Sequence, residues 1–397
     1  MSIATTGRSA AAPARLPTIR ARLASVDWFD LDADRSDETN VRNTQRVTET
    51  MKSVLVTERL VVLAGLGTSL GLKKNASPGS TATRTSAGAP TMAALLSGVT
   101  SLPDYGAIAG MFPDSVGNVE LLLSACQFKL ALGADTVVER FLKAAEKVIL
   151  KLCSFVDATT DLTGHEVFQR KIARRQTRLA RTQIFTTNYD LAFEAAASRI
   201  NFNVIDGFGL GAQRAFDGNA FDLDIVRRRS GDAITLEPNV LQLFKLHGSV
   251  DWDEAPQGVI RSDSPKVPVL IYPSQNKFQM SYRPPYLESM SRFQIALREP
   301  DVSLIVVGFG FNDAHIVAPI EAAIRSNVGL RIVVVNPSIE GNPSPTLARL
   351  ENLVSAGDRR VMFLQASFDQ FVGLIPDTSP QDEREIHDSR TSAAWRP

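Results

Sequence analysis

The chain has 397 residues, of which 44% are hydrophobic and 22% are charged. These values exclude a wholly disordered, collagenous or coiled-coil chain. Lys and Arg together number 43, and Asp and Glu together also number 43. The chain therefore has no net charge that would attract it to nucleic acid or to an anionic membrane. No stretch approaches the about 20 apolar residues of a membrane-spanning helix. Two cysteines, Cys126 and Cys153, cannot form a disulfide framework or a cysteine zinc site, so we expect a cytoplasmic protein without a membrane partner.

The two ends of the chain differ in composition from its body. Residues 1–26 contain four arginines and no acid, a composition shared by organellar transit peptides and flexible arms. Pro13 and Pro17 interrupt the helix that a transit peptide needs, which favours a flexible or partner-binding arm. Residues 377–397 are polar and charged, as is typical of a disordered tail. The folded domain is therefore predicted over residues 27–376.

The body alternates short apolar runs with amphipathic helical patterns. Strands are predicted over residues 60–64, 183–187, 241–246, 267–272, 302–307, 330–335 and 360–364. Asn118 is a candidate helix N-cap, and further helices are predicted over residues 135–155, 166–181, 191–200, 285–297 and 313–325. This alternation predicts an α/β fold, a Rossmann-like and mostly parallel sheet with helices on both faces. The helices over about 110–181 predict an inserted helical module.

Two segments have open interpretations. Residues 73–91 are rich in Gly, Ser, Thr, Ala and Pro, and predict a loop long enough to act as a flap over a site. Residues 166–181 carry six basic side chains, which form either a solvated helix face or a patch for a protein or nucleic-acid partner. The neutral net charge makes nucleic-acid contact the less favoured of these.

Glycines and polar side chains follow the predicted strands, at the ends where parallel sheets bind ligands. Gly65 and Gly67, with Ser69 beyond them, follow the first strand. Glycines there either let backbone N–H groups approach a pyrophosphate or form a structural turn. The later strands are followed by Asn188, Asp190, His247, Gly308, Gly310, Asp313 and Asn336.

His247 and Asn188 are the candidates for chemistry. A neutral imidazole can take a proton from a ribose hydroxyl or from water, and the alternative is a buried histidine satisfied by backbone groups. The Asn188 amide can hold a water or a ribose hydroxyl in line, and Asp190 can orient a carboxamide, whereas the alternative for the pair is a helix-capping turn. His315 begins a predicted helix, where capping or packing is favoured, and His165 falls in a predicted surface segment.

Four blocks of this sequence recur in the same order in sirtuin-like domains: Gly65-Leu66-Gly67-Thr68-Ser69, Thr186-Thr187-Asn188-Tyr189-Asp190, Lys245-Leu246-His247-Gly248-Ser249 and Val307-Gly308-Phe309-Gly310. The chain resembles the bacterial antiphage branch of the sirtuins over about residues 50–370. Sirtuin deacylases carry a zinc ribbon with two Cys-x-x-Cys pairs, and this sequence has no such pair. Its second block is the form seen in sirtuin-like NAD hydrolases of defence, including Thoeris effectors and the sirtuin partners of HerA-type translocases.

The resemblance implies roles for these residues. Gly65, Gly67 and Ser69 would bind the NAD pyrophosphate, Asn188 and Asp190 the nicotinamide ribose and carboxamide, and Gly308, Gly310 and Asn336 the adenosine half, with His247 as the catalytic base. It implies an NAD glycohydrolase that uses NAD as its substrate, needs no metal and depletes NAD in antiphage defence. It also implies a homo-oligomer, which works alone or with a HerA-type ATPase or another defence protein. Two alternatives stay open: a catalytically silent NAD or ADP-ribose sensor that regulates a partner ATPase or nuclease, and an NAD-dependent deacylase.

Overall fold

The computed structural model describes residues 18–31, 37–75, 85–86, 88–176, 178–211, 214–228, 234–270 and 284–377. The strands are β1 (Arg20–Leu23), β2 (Val26–Asp30), β3 (Arg59–Ala64), β4 (Lys73–Lys74), β5 (Thr85–Ser86), β6 (Gln183–Thr186), β7 (Asn203–Ile205), β8 (Val226–Arg228), β9 (Ile234–Leu236), β10 (Val240–Lys245), β11 (Gly248–Ala255), β12 (Gly258–Arg261), β13 (Pro268–Leu270), β14 (Val302–Val307), β15 (Arg331–Val335) and β16 (Val361–Gln365).

The helices are α1 (Glu38–Leu55), α2 (Met92–Thr100), α3 (Tyr105–Met111), α4 (Val119–Leu132), α5 (Thr136–Cys153), α6 (Thr163–Ala173), α7 (Ala192–Arg199), α8 (Tyr286–Arg298), α9 (Ala314–Ser326), α10 (Pro345–Ser355) and α11 (Phe368–Leu374). Single 3₁₀ turns occur at Leu66–Thr68, Pro113–Ser115 and Gly218–Asp222. Within the described residues, no helix is both long and apolar enough to cross a bilayer.

The main sheet of the described chain has nine strands in the order β2-β1-β16-β15-β14-β3-β6-β10-β7. The seven strands from β16 to β7 are parallel to one another. At the edge, β1 pairs antiparallel with β16, and β2 pairs antiparallel with β1. The predicted mostly parallel α/β sheet is therefore confirmed. Its central strands are apolar on both faces, because helices cover both faces.

Alternate side chains of each central strand enter two separate cores. In β3, Val62 packs in one core, whereas Val61 and Leu63 pack in the other. Helices α1, α6, α7 and α11 cover the first face, and α8, α9 and α10 cover the second. The period of two along a strand produces this division.

Helices α2 to α5 form a third core of their own, centred on buried side chains such as Phe141 and Leu122. This helical module packs against Val250 of β11 and Leu270 of β13, two strands of a separate antiparallel sheet, and against Tyr189 and Leu191 after β6. The helical part begins at Met92 of α2, earlier than the predicted boundary near residue 110. At the other end, α6 packs on the main sheet rather than on the module, because Phe168 and Ile172 face the first core.

The predicted arm over residues 1–26 extends too far, because β1 begins at Arg20 and β2 begins at Val26. Ala21 and Leu23 are buried in the first core, so the chain is part of the sheet here. The arginine-rich composition hid this short alternation of polar and apolar residues. Residues 1–17, and the predicted tail after Asp377, lie outside the described residues.

The basic segment over residues 166–181 is only partly helical, since α6 ends at Ala173 rather than near Arg181. Arg175 turns inward and donates to the backbone carbonyls of Leu55, Thr57 and Ala180. Arg181 pairs with Asp224 at 2.9 Å. The charges of these two arginines therefore hold neighbouring segments of the chain together.

Candidate active site

A cavity of about 710 Å³ lies at the carboxyl ends of the parallel strands, and its size is typical of small-molecule sites. It sits where β3 and β14 run side by side, and the chain proceeds from these two strands toward opposite edges of the sheet. Such a switch point is where open α/β sheets bind ligands. Seven of the nine predicted site residues line the cavity: Gly67, Asn188, Asp190, His247, Gly308, Gly310 and Asn336. Gly65 and Ser69 are not among the lining residues, but they contact residues that are.

Backbone contact between the loops after β3 and β14 explains the glycines. The N–H of Gly65 donates to the carbonyl of Val307 at 3.0 Å, and the N–H of Gly67 donates to the carbonyl of Gly308 at 2.9 Å. A Cβ on Gly67 would lie 2.6 Å from the Cα of Gly308, which itself has a φ of +65°. Only glycine permits this approach and this backbone conformation.

The same contact changes the predicted use of the glycine loop. Because the N–H groups of Gly65 and Gly67 are bonded within the protein, they do not face the cavity as free donors, contrary to the interpretation made from the sequence. Leu66 and Gly310 lie on the same two loops and line the cavity. Their backbone N–H groups are candidate donors for an anionic ligand.

Asn188 is buried and its amide orientation is determined by its neighbours. Its Nδ2 donates to Oγ1 of Thr68 at 3.0 Å and to Oγ of Ser69 at 3.1 Å. The Thr68 hydroxyl donates its own hydrogen to the carbonyl of Gly65 at 2.9 Å, so it must accept from Asn188. Both amide hydrogens are thus committed, and the Oδ1 atom is the group that can accept from a ligand.

Asp190 and Asn336 use their side chains within the protein. Oδ1 of Asp190 accepts from the N–H of Ala192 at 3.0 Å, at the start of α7, as the capping alternative predicts. Asn336 donates to the carbonyl of Phe309 at 3.2 Å and accepts from the N–H of Ser338 at 2.9 Å. Both therefore shape the loops of the cavity in addition to lining it.

A buried ion pair contacts the backbone next to Asn188. Nζ of Lys245, the last residue of β10, donates to the carbonyl of Asp190 and lies 3.2 Å from Oε1 of Glu194. Burial raises the pKa of Glu194, and the positive charge of Lys245 opposes that rise. Lys245 belongs to the histidine block of the sequence, but its contact with Glu194 was not predicted.

His247 faces a carboxylate that was not predicted as its partner. Its Nε2 lies 3.0 Å from Oδ2 of Asp313, and the two side chains are 9% and 11% exposed. Oδ1 of Asp313 accepts from the N–H of His315 at 3.0 Å and caps α9. The sequence signal for this contact was the position of Asp313, which follows Gly308 and Gly310 and begins a predicted helix.

The helical module contributes to the wall of the cavity. Leu95 and Leu96 of α2 and Val119 of α4 make this wall apolar, and Cys153 of α5 also lines it. Burial raises the pKa of the Cys153 thiol to about 12, so it stays protonated at neutral pH. Among the described residues, no three His, Cys, Asp or Glu side chains are grouped so that they could hold a metal ion.

Residues 182–353 match the family model described as a SIR2-like domain, a range that includes Asn188, His247 and Asp313. A solved structure from work on the mechanism and regulation of Sir2 enzymes shares 10% identity and aligns over 87% of this chain and 98% of its own, with a TM-score of 0.39. A mutant Sir2 homologue in complex with ADP-ribose shares 13% identity over 88% and 98%, with a TM-score of 0.34. A Sir2 homologue in complex with NAD shares 16% identity over 86% and 94%, with a TM-score of 0.35. No curated protein matches the chain significantly.

Proposed function

We propose that this protein is an NAD glycohydrolase, which cleaves NAD to nicotinamide and ADP-ribose and depletes NAD in antiphage defence. The observation that carries the proposal is the position of Asn188 and His247, which lie after the neighbouring parallel strands β6 and β10 and line one cavity. The match of residues 182–353 to the SIR2-like model supports the same reading.

NAD enters this proposal as the substrate. The loops after β3 and β14 line the cavity, and backbone N–H groups there, such as those of Leu66 and Gly310, would bind its pyrophosphate, since backbone donors suit phosphate oxygens. The Oδ1 atom of Asn188 would accept from the nicotinamide ribose or from the attacking water, and Asp190 lies beside it for the carboxamide. The loops of Gly308 and Asn336 would enclose the adenosine half.

The reaction requires little help with departure, because nicotinamide leaves as a neutral molecule. The C–N bond between ribose and nicotinamide breaks with its electron pair going to the ring nitrogen, and an oxocarbenium-like ribose results. Asn188 orients a water that attacks this carbon. His247 takes the proton released by that water, or one from a ribose hydroxyl, and later returns it to solvent.

The apolar wall of the helical module favours water as the acceptor over an acyl-lysine. Leu95, Leu96 and Val119 line the cavity, and an acceptor peptide would need a groove beside it. Water needs no such groove. We further propose that the protein works as a homo-oligomer, alone or with a HerA-type ATPase or another defence protein that controls NAD loss.

The test is nicotinamide release from NAD by the wild type beside His247→Ala and Asn188→Ala. We expect each variant to lose at least about 100-fold in rate, because each removes a group that acts on the reacting atoms. Asn203→Ala, at an exposed position of β7, is the matched control and should release nicotinamide at the wild-type rate. Thermal unfolding checks that all variants fold.

The assay is run over a range of protein concentrations, with the molecular mass measured at each, and with and without a candidate ATPase. Full release by His247→Ala would overturn the proposal. Binding of NAD without release by the wild type, in every condition, would replace it with the sensor function. Formation of O-acyl-ADP-ribose from an acyl-lysine peptide would replace it with deacylation.

A further inference from the structure

We infer that Asp313 is a positioning residue that sets which nitrogen of His247 carries the proton. The inference rests on the proposed function and adds a residue to its machinery. Oδ2 of Asp313 meets Nε2 of His247 at 3.0 Å, an ion-pair distance rather than an aligned hydrogen bond. Catalytic contacts of this kind commonly align only when the substrate is bound.

The carboxylate of Asp313 is held in place by the helix that it caps. Its Oδ1 accepts from the N–H of His315, and its backbone carbonyl accepts from the N–H of Val317 at 2.9 Å. Helix α9 is in turn anchored in the second core by Ile316 and Ile320. Because one carboxylate oxygen is committed to the cap, the other stays directed at His247.

An ionised carboxylate accepts hydrogen bonds and donates none. Beside Nε2 it favours the tautomer with the proton on Nε2, which places the lone pair on Nδ1 for proton transfer. It also stabilises the imidazolium that forms once His247 has taken a proton. The other titratable side chains that line the cavity are Glu120, Cys153, Tyr189 and Asp190.

Asp313→Asn separates this role from helix capping. Asparagine caps helices as well as aspartate does, so its oxygen stays on the N–H of His315. Its NH₂ group then faces Nε2 and donates to it, which forces the imidazole proton onto Nδ1. Size, cap and fold are conserved, while the tautomer of His247 is reversed.

We expect Asp313→Asn to lower kcat by about 10²- to 10⁴-fold with little change in KM, because the substrate still binds while proton transfer fails. Asp135→Asn is the matched control, since Asp135 caps α5 through the N–H groups of Val137 and Val138, away from the cavity. It should leave both constants unchanged. An unchanged kcat in Asp313→Asn overturns the inference.

A second measurement does not depend on activity. The chain has four histidines, and the ¹⁵N spectrum of imidazole-labelled protein identifies His247 as the signal missing from His247→Ala. At a pH where this ring is neutral, we expect the Nε2–H form in the wild type and the Nδ1–H form in Asp313→Asn. The same tautomer in both proteins overturns the inference. The expected reversal in a protein that releases no nicotinamide overturns the proposed function alone.

Discussion

His165 and His247 are both buried, yet their surroundings suit different uses. His165 packs between the rings of Phe193 and Phe368, at centroid distances of 5.0 and 4.8 Å, and is 1% exposed. The prediction that it lies in a surface segment is therefore wrong, because it is on the inward face of α6. His247 instead faces the carboxylate of Asp313 at the edge of a cavity. His247 therefore differs from His165 in having a titratable partner and in lining a cavity that a ligand could enter.

Burial lowers the pKa of His165 to about 3, against 6.5 for an exposed histidine. Below about pH 6.5, His165 therefore binds a proton in the unfolded chain but stays neutral in the folded chain. Its contribution to the unfolding free energy is fully present above pH 6.5 and is lost as the pH falls toward 3. Compared with His165→Leu, the wild type should lose about 2 kcal/mol more unfolding free energy between pH 7 and pH 5. Urea unfolding at the two pH values measures this difference.

Phe168→Leu is the control, because Phe168 lies in the same core and does not titrate. Its effect on the unfolding free energy should be equal at both pH values. Equal effects of His165→Leu at pH 7 and pH 5 would show that His165 titrates alike in the folded and unfolded chain, contrary to this prediction.

At the scale of elements, two loops act as one structure. The loops after β3 and β14 touch through Gly67 and Gly308 and are joined by backbone hydrogen bonds, so we expect a shift of one loop to displace the other. The β3 loop also holds Asn188 through the hydroxyls of Thr68 and Ser69. A change at Gly308 is therefore transmitted to the Asn188 amide without touching it.

Gly308→Ala tests this coupling. The new Cβ would lie 2.7 Å from Cα of Gly67 and from N of Thr68, at a φ of +65° that disfavours alanine. We expect a loss of about 1–3 kcal/mol in stability and at least about tenfold weaker NAD binding, since the loop must shift. Denaturant unfolding and calorimetric titration with NAD measure the two effects.

Gly110→Ala provides the comparison, because no atom lies within 4 Å of its Cβ position in α3. It should leave NAD binding unchanged and stabilise the protein by up to about 1 kcal/mol, through its effect on helix propensity. Unchanged NAD binding in Gly308→Ala would contradict the coupling of the two loops.

At the scale of the whole molecule, β1 and β2 close one edge of the parallel sheet. β1 pairs antiparallel with β16, which would otherwise be an open edge strand. Ala21 of β1 is fully buried in the first core and lies opposite Leu364 of β16. The beginning of the described chain thus completes a core whose other strands come from the middle and the end.

Ala21→Glu should destabilise the protein by about 3–5 kcal/mol, because it places an unpaired charge in the core. With β1 displaced, the exposed edge of β16 should also promote self-association. Chemical unfolding and light scattering after size exclusion report the two effects. Thr18→Glu adds the same charge at a nearby exposed position and should change neither.

Short apolar runs were sufficient to predict the sheet strands, because burial on both faces requires continuous apolar sequence. The runs at β3, β6, β10, β14, β15 and β16 were each found in the sheet, and the run at β13 was found in the separate antiparallel sheet. The residues after the parallel strands meet because the carboxyl ends of such strands share one edge. For this reason, Asn188 and His247 could be predicted to lie at one site.

The strand pattern, the parallel sheet and the loops around the cavity could be predicted from the sequence, since they follow from local periodicity and turn chemistry. Which side chains face one another depends instead on how distant segments pack. The contact of Asp313 with His247, the burial of His165 and the backbone contact of Gly67 with Gly308 join segments far apart in the chain. Periodicity shows that a face is buried, but the group opposite it is set by how distant elements pack.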